Sequence, residues 1–142
     1  MVTIATLSNS TEERENAKKV LMKYSANKEQ LKFVDYSAEN RHKADIMGEV
    51  DGDVQADAID LLLASDWLET GWDEFSSAEL IAFCHQATPG FPFVILTKAE
   101  IAEHDIQNIL PTHIYPVDYF FGQDEKLVRE MVEEIDRMCA KH

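Results

Sequence analysis

The chain has 142 residues, 45% hydrophobic and 28% charged, a balance that predicts one folded domain over residues 1–142 and excludes global disorder. Its 27 acidic against 13 basic residues give a formal net charge of −14, which repels phosphate backbones and anionic lipid and argues against nucleic-acid and membrane-surface binding. No apolar run approaches the roughly 20 residues of a membrane span, and Met1–Ser10 lacks the basic start and long apolar stretch of a signal peptide, so a cytoplasmic location is expected.

Thr3–Leu7, short, apolar and rich in β-branched residues, predicts a first strand. Ser10 with Glu13 is a capping-box pattern, so a helix is predicted from there, burying Ala17, Val20, Leu21 and Tyr24 at the 3.6-residue period and ending near Asn27. Leu31–Tyr36 reads as a second strand. Ser37 opens a weakly patterned second helix with Ala44, Ile46 and Met47 inward, broken at Gly48. Asp51-Gly52-Asp53, with Asp57, reads as a solvated turn. Ile59–Ala64 is a near-continuous apolar run, as in a central strand covered on both faces. Ser65–Phe75 is predicted as a loop holding Asp66, Trp67, Gly71 and Trp72. Ser76 with Glu79 opens a helix burying Leu80, Ile81, Phe83, Cys84 and Ala87. Pro89-Gly90 turns into a strand at Phe91–Leu96. Thr97 with Glu100 is a third capping-box pattern, followed by a helix burying Ile101, Ala102, Ile106, Ile109 and Leu110 and stopped by Pro111. Ile114–Val117 makes a short fifth strand. A last helix, from about Asp124, buries Leu127, Val128, Met131, Ile135 and Met138. Cys84 and Cys139 sit in these helical patterns and are expected to be buried free thiols.

Strands alternating with helices in this order predict a single doubly wound, five-stranded parallel α/β sheet with helices on both faces. Ligands of such sheets collect at the carboxyl ends of the strands, here Ser8-Asn9-Ser10, Ser37, Ser65-Asp66-Trp67, Thr97-Lys98 and Val117-Asp118.

The segment Asp60-Leu61-Leu62-Leu63-Ala64-Ser65-Asp66 resembles the third strand of response-regulator receiver domains, which ends in a phosphorylated aspartate. Phe91-Pro92-Phe93-Val94-Ile95-Leu96-Thr97 resembles the fourth, which ends in a switch Thr or Ser. The resemblance spans nearly the whole chain in element order and implies a fold shared with flavodoxins. Its phosphoryl chemistry is poorly provided for. The adjacent acids that would hold Mg²⁺ after the first strand are replaced by Ser8-Asn9-Ser10, and Glu12 and Glu13 read as favourable charge at a helix start. The acceptor position falls on Ser65, with Asp66 one residue later. Thr97 serves either as switch or as helix cap. The family's Lys-Pro after the fifth strand reads Tyr115-Pro116-Val117-Asp118, without the lysine.

The chain is therefore expected to be a receiver-like domain that lacks the chemistry, a pseudo-receiver: a non-catalytic signalling or adaptor module of a two-component type, without cofactor or metal, acting through protein contacts or self-association. The resemblance sets Tyr115 and Tyr119, with Phe120, on or beside the face that receivers use for partners, although packing under the last helix explains these rings equally well. Two alternatives stand. One is a phosphorylatable receiver using Asp66, with Glu12 or Glu13 helping to hold Mg²⁺. The other is a flavodoxin-like FMN carrier whose pocket is drawn from Ser8, Asn9, Ser10, Ser65, Trp67 and Thr97, although its phosphate loop lacks a glycine. The five histidines show no metal-ligand spacing.

Overall fold

A computed structural model describes residues 1–98 and 112–140. The main sheet holds β1 (Val2–Ser8), β2 (Leu31–Ser37), β3 (Leu61–Ser65), β6 (Phe93–Thr97) and β7 (Thr112–Pro116), all parallel, in the order β2-β1-β3-β6-β7. This is the receiver- and flavodoxin-like doubly wound α/β fold. Alternate residues of each strand feed two cores. Ala5, Leu7, Leu62, Ala64, Phe93 and Ile95 point to one, Ile4, Leu61, Leu63, Val94 and Leu96 to the other. The first core is closed by α2 (Lys43–Gln55) and α3 (Ser77–Ala87). The second is closed by α1 (Thr11–Tyr24), the single turn α4 (Val117–Phe120) and α5 (Glu125–Cys139). No helix among the described residues is long and apolar enough to cross a membrane.

Local chemistry sets the helix starts. The Ser10 hydroxyl accepts from the Glu13 N–H at 3.1 Å, and the Ser76 hydroxyl from the Glu79 N–H at 3.4 Å, as the capping patterns predict. Asp124 caps α5 through the Leu127 N–H. Both cysteines are free and buried. The helix predicted after Thr97 lies outside the described residues.

Several expectations are corrected. The second helix begins at Lys43 rather than near Ser37 and runs unbroken through Gly48 and Gly52. Its inward stripe is Ile46, Val50 and Val54, spaced by four, while Ala44 is exposed. Both glycines lie on the outer side, where an added Cβ would meet nothing within 4 Å, so the stripe pays for the weak helix formers. Asp51 and Asp53 are thus helical, and the Tyr36 hydroxyl donates to Asp53 at 2.5 Å. On α3, Phe83 and Ala87 face solvent, not the core.

The largest correction concerns Ser65–Phe75. It contains an antiparallel hairpin, β4 (Trp67–Glu69) and β5 (Glu74–Ser76), with Leu68 opposite Phe75 and both fully buried. Its four-residue turn uses Gly71 at φ 92°, where a side chain would be strained. The Thr70 hydroxyl accepts from the Asp73 N–H at 2.7 Å and the Trp72 N–H at 3.1 Å. The turn is fastened to the start of α2: the Asn40 N–H donates to the Thr70 carbonyl at 2.7 Å and the Lys43 N–H to Asp73 at 2.9 Å.

Candidate functional site

β1 lies between β2 and β3, so the connections leaving β1 and β3 diverge to opposite faces and open a crevice at their carboxyl ends. A cavity of about 310 Å³ occupies that place. Ser8, Asn9 and Ser10 line it from the end of β1, Ser65, Asp66 and Trp67 from the end of β3. Glu13, Glu69 and Lys98 complete its polar wall; Glu69 was not singled out from the sequence, whereas Lys98 was placed at a strand end and Glu13 offered as a Mg²⁺ ligand in one alternative.

The polar groups are largely bound to one another. Ser65 Oγ lies 2.7 Å from Glu13 Oε1 and 3.0 Å from Ser8 Oγ. A hydroxyl has one proton and a carboxylate only accepts, so Ser65 donates to Glu13 and its remaining contact is to the Ser8 hydroxyl. Ser8 Oγ also accepts the Ser10 N–H at 3.1 Å. Arg14 folds back onto the same loop, donating to the Ser8 carbonyl and, at 3.0 Å, to the Thr11 hydroxyl. Its guanidinium is thereby committed to loop structure.

Asp66 follows the last residue of β3, and its carboxylate faces the crevice. Thr97 Oγ1 donates to Asp66 Oδ2 at 2.7 Å. The two positions singled out as acceptor alternative and switch thus touch. The Asp66 main chain is also fixed, its N–H to the Leu96 carbonyl at 3.1 Å and its carbonyl from the Ser77 N–H at 2.9 Å. Asn9 uses its side-chain amide as a short piece of strand: Nδ2 donates to the Glu69 carbonyl while Oδ1 accepts the Glu69 N–H at 3.1 Å. It pins the β1–α1 loop to the hairpin and so shapes the crevice mouth, where Trp67 is 49% exposed.

Mg²⁺ wants about six oxygens including one or two free carboxylates. Among the described residues, no three His, Cys, Asp or Glu side chains group so as to hold a metal ion. The Ser10 and Glu13 N–H groups that an FMN phosphate would use are taken up by the Ser8 and Ser10 hydroxyls, and the Glu13 carboxylate stands beside the same place.

The interaction residues divide. Tyr119 is 57% exposed, but Tyr115 and Phe120 are buried in the second core, their rings stacked with centroids 6.3 Å apart. The Tyr115 hydroxyl donates to Glu134 on α5 at 2.5 Å, and burial first, then this bond, push its pKa up. These two rings hold β7 and α4 under the last helix, so they offer no surface to a partner. Trp67 is the exposed aromatic lining the crevice, and Trp72, in the hairpin turn, is 62% exposed with its ring 4.5 Å from that of His42.

No family model matches the chain, and no curated protein matches it. One similar solved structure is a fusion of the yeast Spc42 trimeric coiled coil, amino acids 181–211, to another structure. The likeness covers 96% of this chain and 79% of that chain, with a TM-score of 0.62 at 15% sequence identity. At that identity it speaks to the fold alone.

Proposed function

We propose that this chain is a receiver-like module that works through protein contacts and does not carry out phosphoryl transfer. The observation that carries this reading is the bonding inside the crevice. Ser65 engages Glu13 and Thr97 engages Asp66, so the carboxylates that would have to face a cation are held by hydroxyls of the domain itself. Phosphoryl transfer to an aspartate needs a cation to offset the incoming charge, and each of these contacts takes up one carboxylate oxygen on the crevice side. The exposed Trp67 at the crevice and Trp72 in the hairpin turn supply aromatic surface of the kind enriched in protein interfaces.

A second reading has one specific observation in its favour. Asp66 touches Thr97, and Lys98 lines the same cavity, so an acceptor, a hydroxyl and an ammonium share one end of the sheet. A single experiment separates the two. The protein is incubated with a small phosphodonor and Mg²⁺ and its intact mass recorded, beside Asp66→Asn. An unchanged mass supports the contact module; a gain of one phosphoryl group that Asp66→Asn abolishes overturns it.

A further inference from the structure

A basic grouping occurs away from the crevice, on the face covered by α1 and α5. Between α1, the α4–α5 turn and the start of α5 lies a second cavity of about 340 Å³. Its floor is apolar, built from Val20, Phe121, Val128 and the buried Phe120. Lys19 and Lys23, one helical turn apart on α1, line its rim. Tyr24 forms one wall and carries two cations on its ring, Lys23 Nζ at 5.1 Å and Arg129 Cζ at 5.4 Å from the centroid.

Acids outnumber bases 27 to 13 in the chain, yet Lys19 and Lys23 stand together on one rim. Lys18, Arg41 and Lys43 are each ion-paired, Lys18 to Asp35 at 2.5 Å. Among the described residues, Lys19, Lys23 and Arg129 have no carboxylate within the 4.0 Å of an ion pair. Lys19 and Lys23 at the rim, with Arg129 on the Tyr24 ring, set positive charge beside the apolar floor.

We propose that this cavity binds a small organic anion with an aromatic body. The rings and aliphatic floor take the body, the two lysines take the anionic group at the rim, and Asn16, which also lines the cavity, offers an amide to the ligand's polar atoms. The volume is that of a compact small-molecule site, and a free small molecule is the occupant it fits. The rim is kept in shape by Gly122: a Cβ there would stand 2.6 Å from the Asp118 carbonyl oxygen, so the turn that carries Phe121 closes directly onto α4. This site is independent of the crevice and of the protein-contact reading.

The test uses anilinonaphthalene sulfonate as the anionic probe and N-phenylnaphthylamine as its uncharged counterpart, titrated into the full chain at low and high salt. Saturable one-to-one binding of the sulfonate is expected, weakened by salt. The double variant Lys19→Ala/Lys23→Ala, at two exposed positions, should weaken the sulfonate about tenfold and the uncharged probe less than about twofold. Amide shifts on sulfonate binding should centre on α1 and the start of α5. Unsaturable uptake, equal sulfonate affinity in the double variant, or shifts centred elsewhere would each overturn the proposal.

Discussion

The hairpin at Trp67–Ser76 is an integral part of the folded unit, and Phe75→Ala tests that directly. Phe75 and its cross-strand partner Leu68 are both 0% exposed and are the inward side chains of the two strands. Deleting a buried Phe ring costs about 3–5 kcal/mol, transfer and cavity terms together. That is a large share of the roughly 5–15 kcal/mol that holds such a domain folded. For a chain of this length the loss corresponds to a Tm lower by about 10–15 °C. Phe75→Leu, which keeps most of the volume, should cost less than about 1.5 kcal/mol. The assay is urea unfolding followed two ways. Far-ultraviolet circular dichroism reports the whole domain. Intrinsic fluorescence reports the hairpin, because the two tryptophans of the chain, Trp67 and Trp72, both lie in it. The two curves should coincide in the wild type and shift together in Phe75→Ala. A loss below about 1 kcal/mol, or a fluorescence transition that precedes the dichroism, would refute the reasoning and make the hairpin a peripheral flap.

Further outcomes follow from other contacts. Gly122→Ala should destabilise by about 1–3 kcal/mol in denaturant titrations, because the new methyl meets backbone oxygen at 2.6 Å. Burial works against ionisation of Asp35, but hydrogen bonds from Lys18 and Thr6 and the nearby charges of Lys18 and Arg14 outweigh it and hold its pKa below the usual range. A depressed carboxyl stabilises above its unfolded pKa and loses that contribution as pH falls, so stability should decline below about pH 4, and Asp35→Asn should flatten that acid limb in pH-dependent melting. At the other end, the Asp35 hydrogen bond raises the Lys18 pKa, and burial followed by the Asp53 contact raises that of Tyr36. A raised pKa stabilises below the unfolded value, so this part should be lost as pH climbs beyond about 10. Burial, aided by Asp51 at Cys84 and by Asp60 and Asp136 at Cys139, pushes both thiols up to about 12. Neither should react with a thiol reagent at pH 8 in the folded protein, and both should on unfolding.

The sheet was legible in the sequence because its strands are buried apolar runs and three of its helix starts carry capping side chains. Ser10 and Ser76 cap the helices their spacing predicts. The second helix was less legible. Gly48 and Gly52 argued against it locally, whereas Ile46, Val50 and Val54 formed a stripe whose packing decides the outcome. The hairpin left almost no trace, since a three-residue strand with one buried side chain offers no period to detect. Gly71 between Leu68 and Phe75 was the available signal. In the site, Ser8, Asn9, Ser10, Ser65, Asp66 and Trp67, which topology sets at the strand ends, line one cavity. Glu13 was read as helix-start charge and, in one alternative, as a Mg²⁺ ligand; its contact with Ser65, which joins residues 52 positions apart, left no sequence signal. Thr97-Lys98 was placed among the strand ends where ligands collect, but Lys98 was given no role because the resemblance directs attention to the end of the fifth strand for an ammonium. The aromatic run Tyr115–Phe121 carried no periodicity to separate rings that support the last helix from the one that faces solvent.

The central claim is that the crevice carboxylates are engaged by the domain's own hydroxyls and do not form a cation site. Magnesium titration followed by amide resonances measures this most directly. The account predicts weak, non-saturating drift at Ser8, Asn9, Ser10, Ser65 and Asp66 up to millimolar magnesium. Saturable shifts centred on those residues, lost in Glu13→Gln or Asp66→Asn, would contradict it.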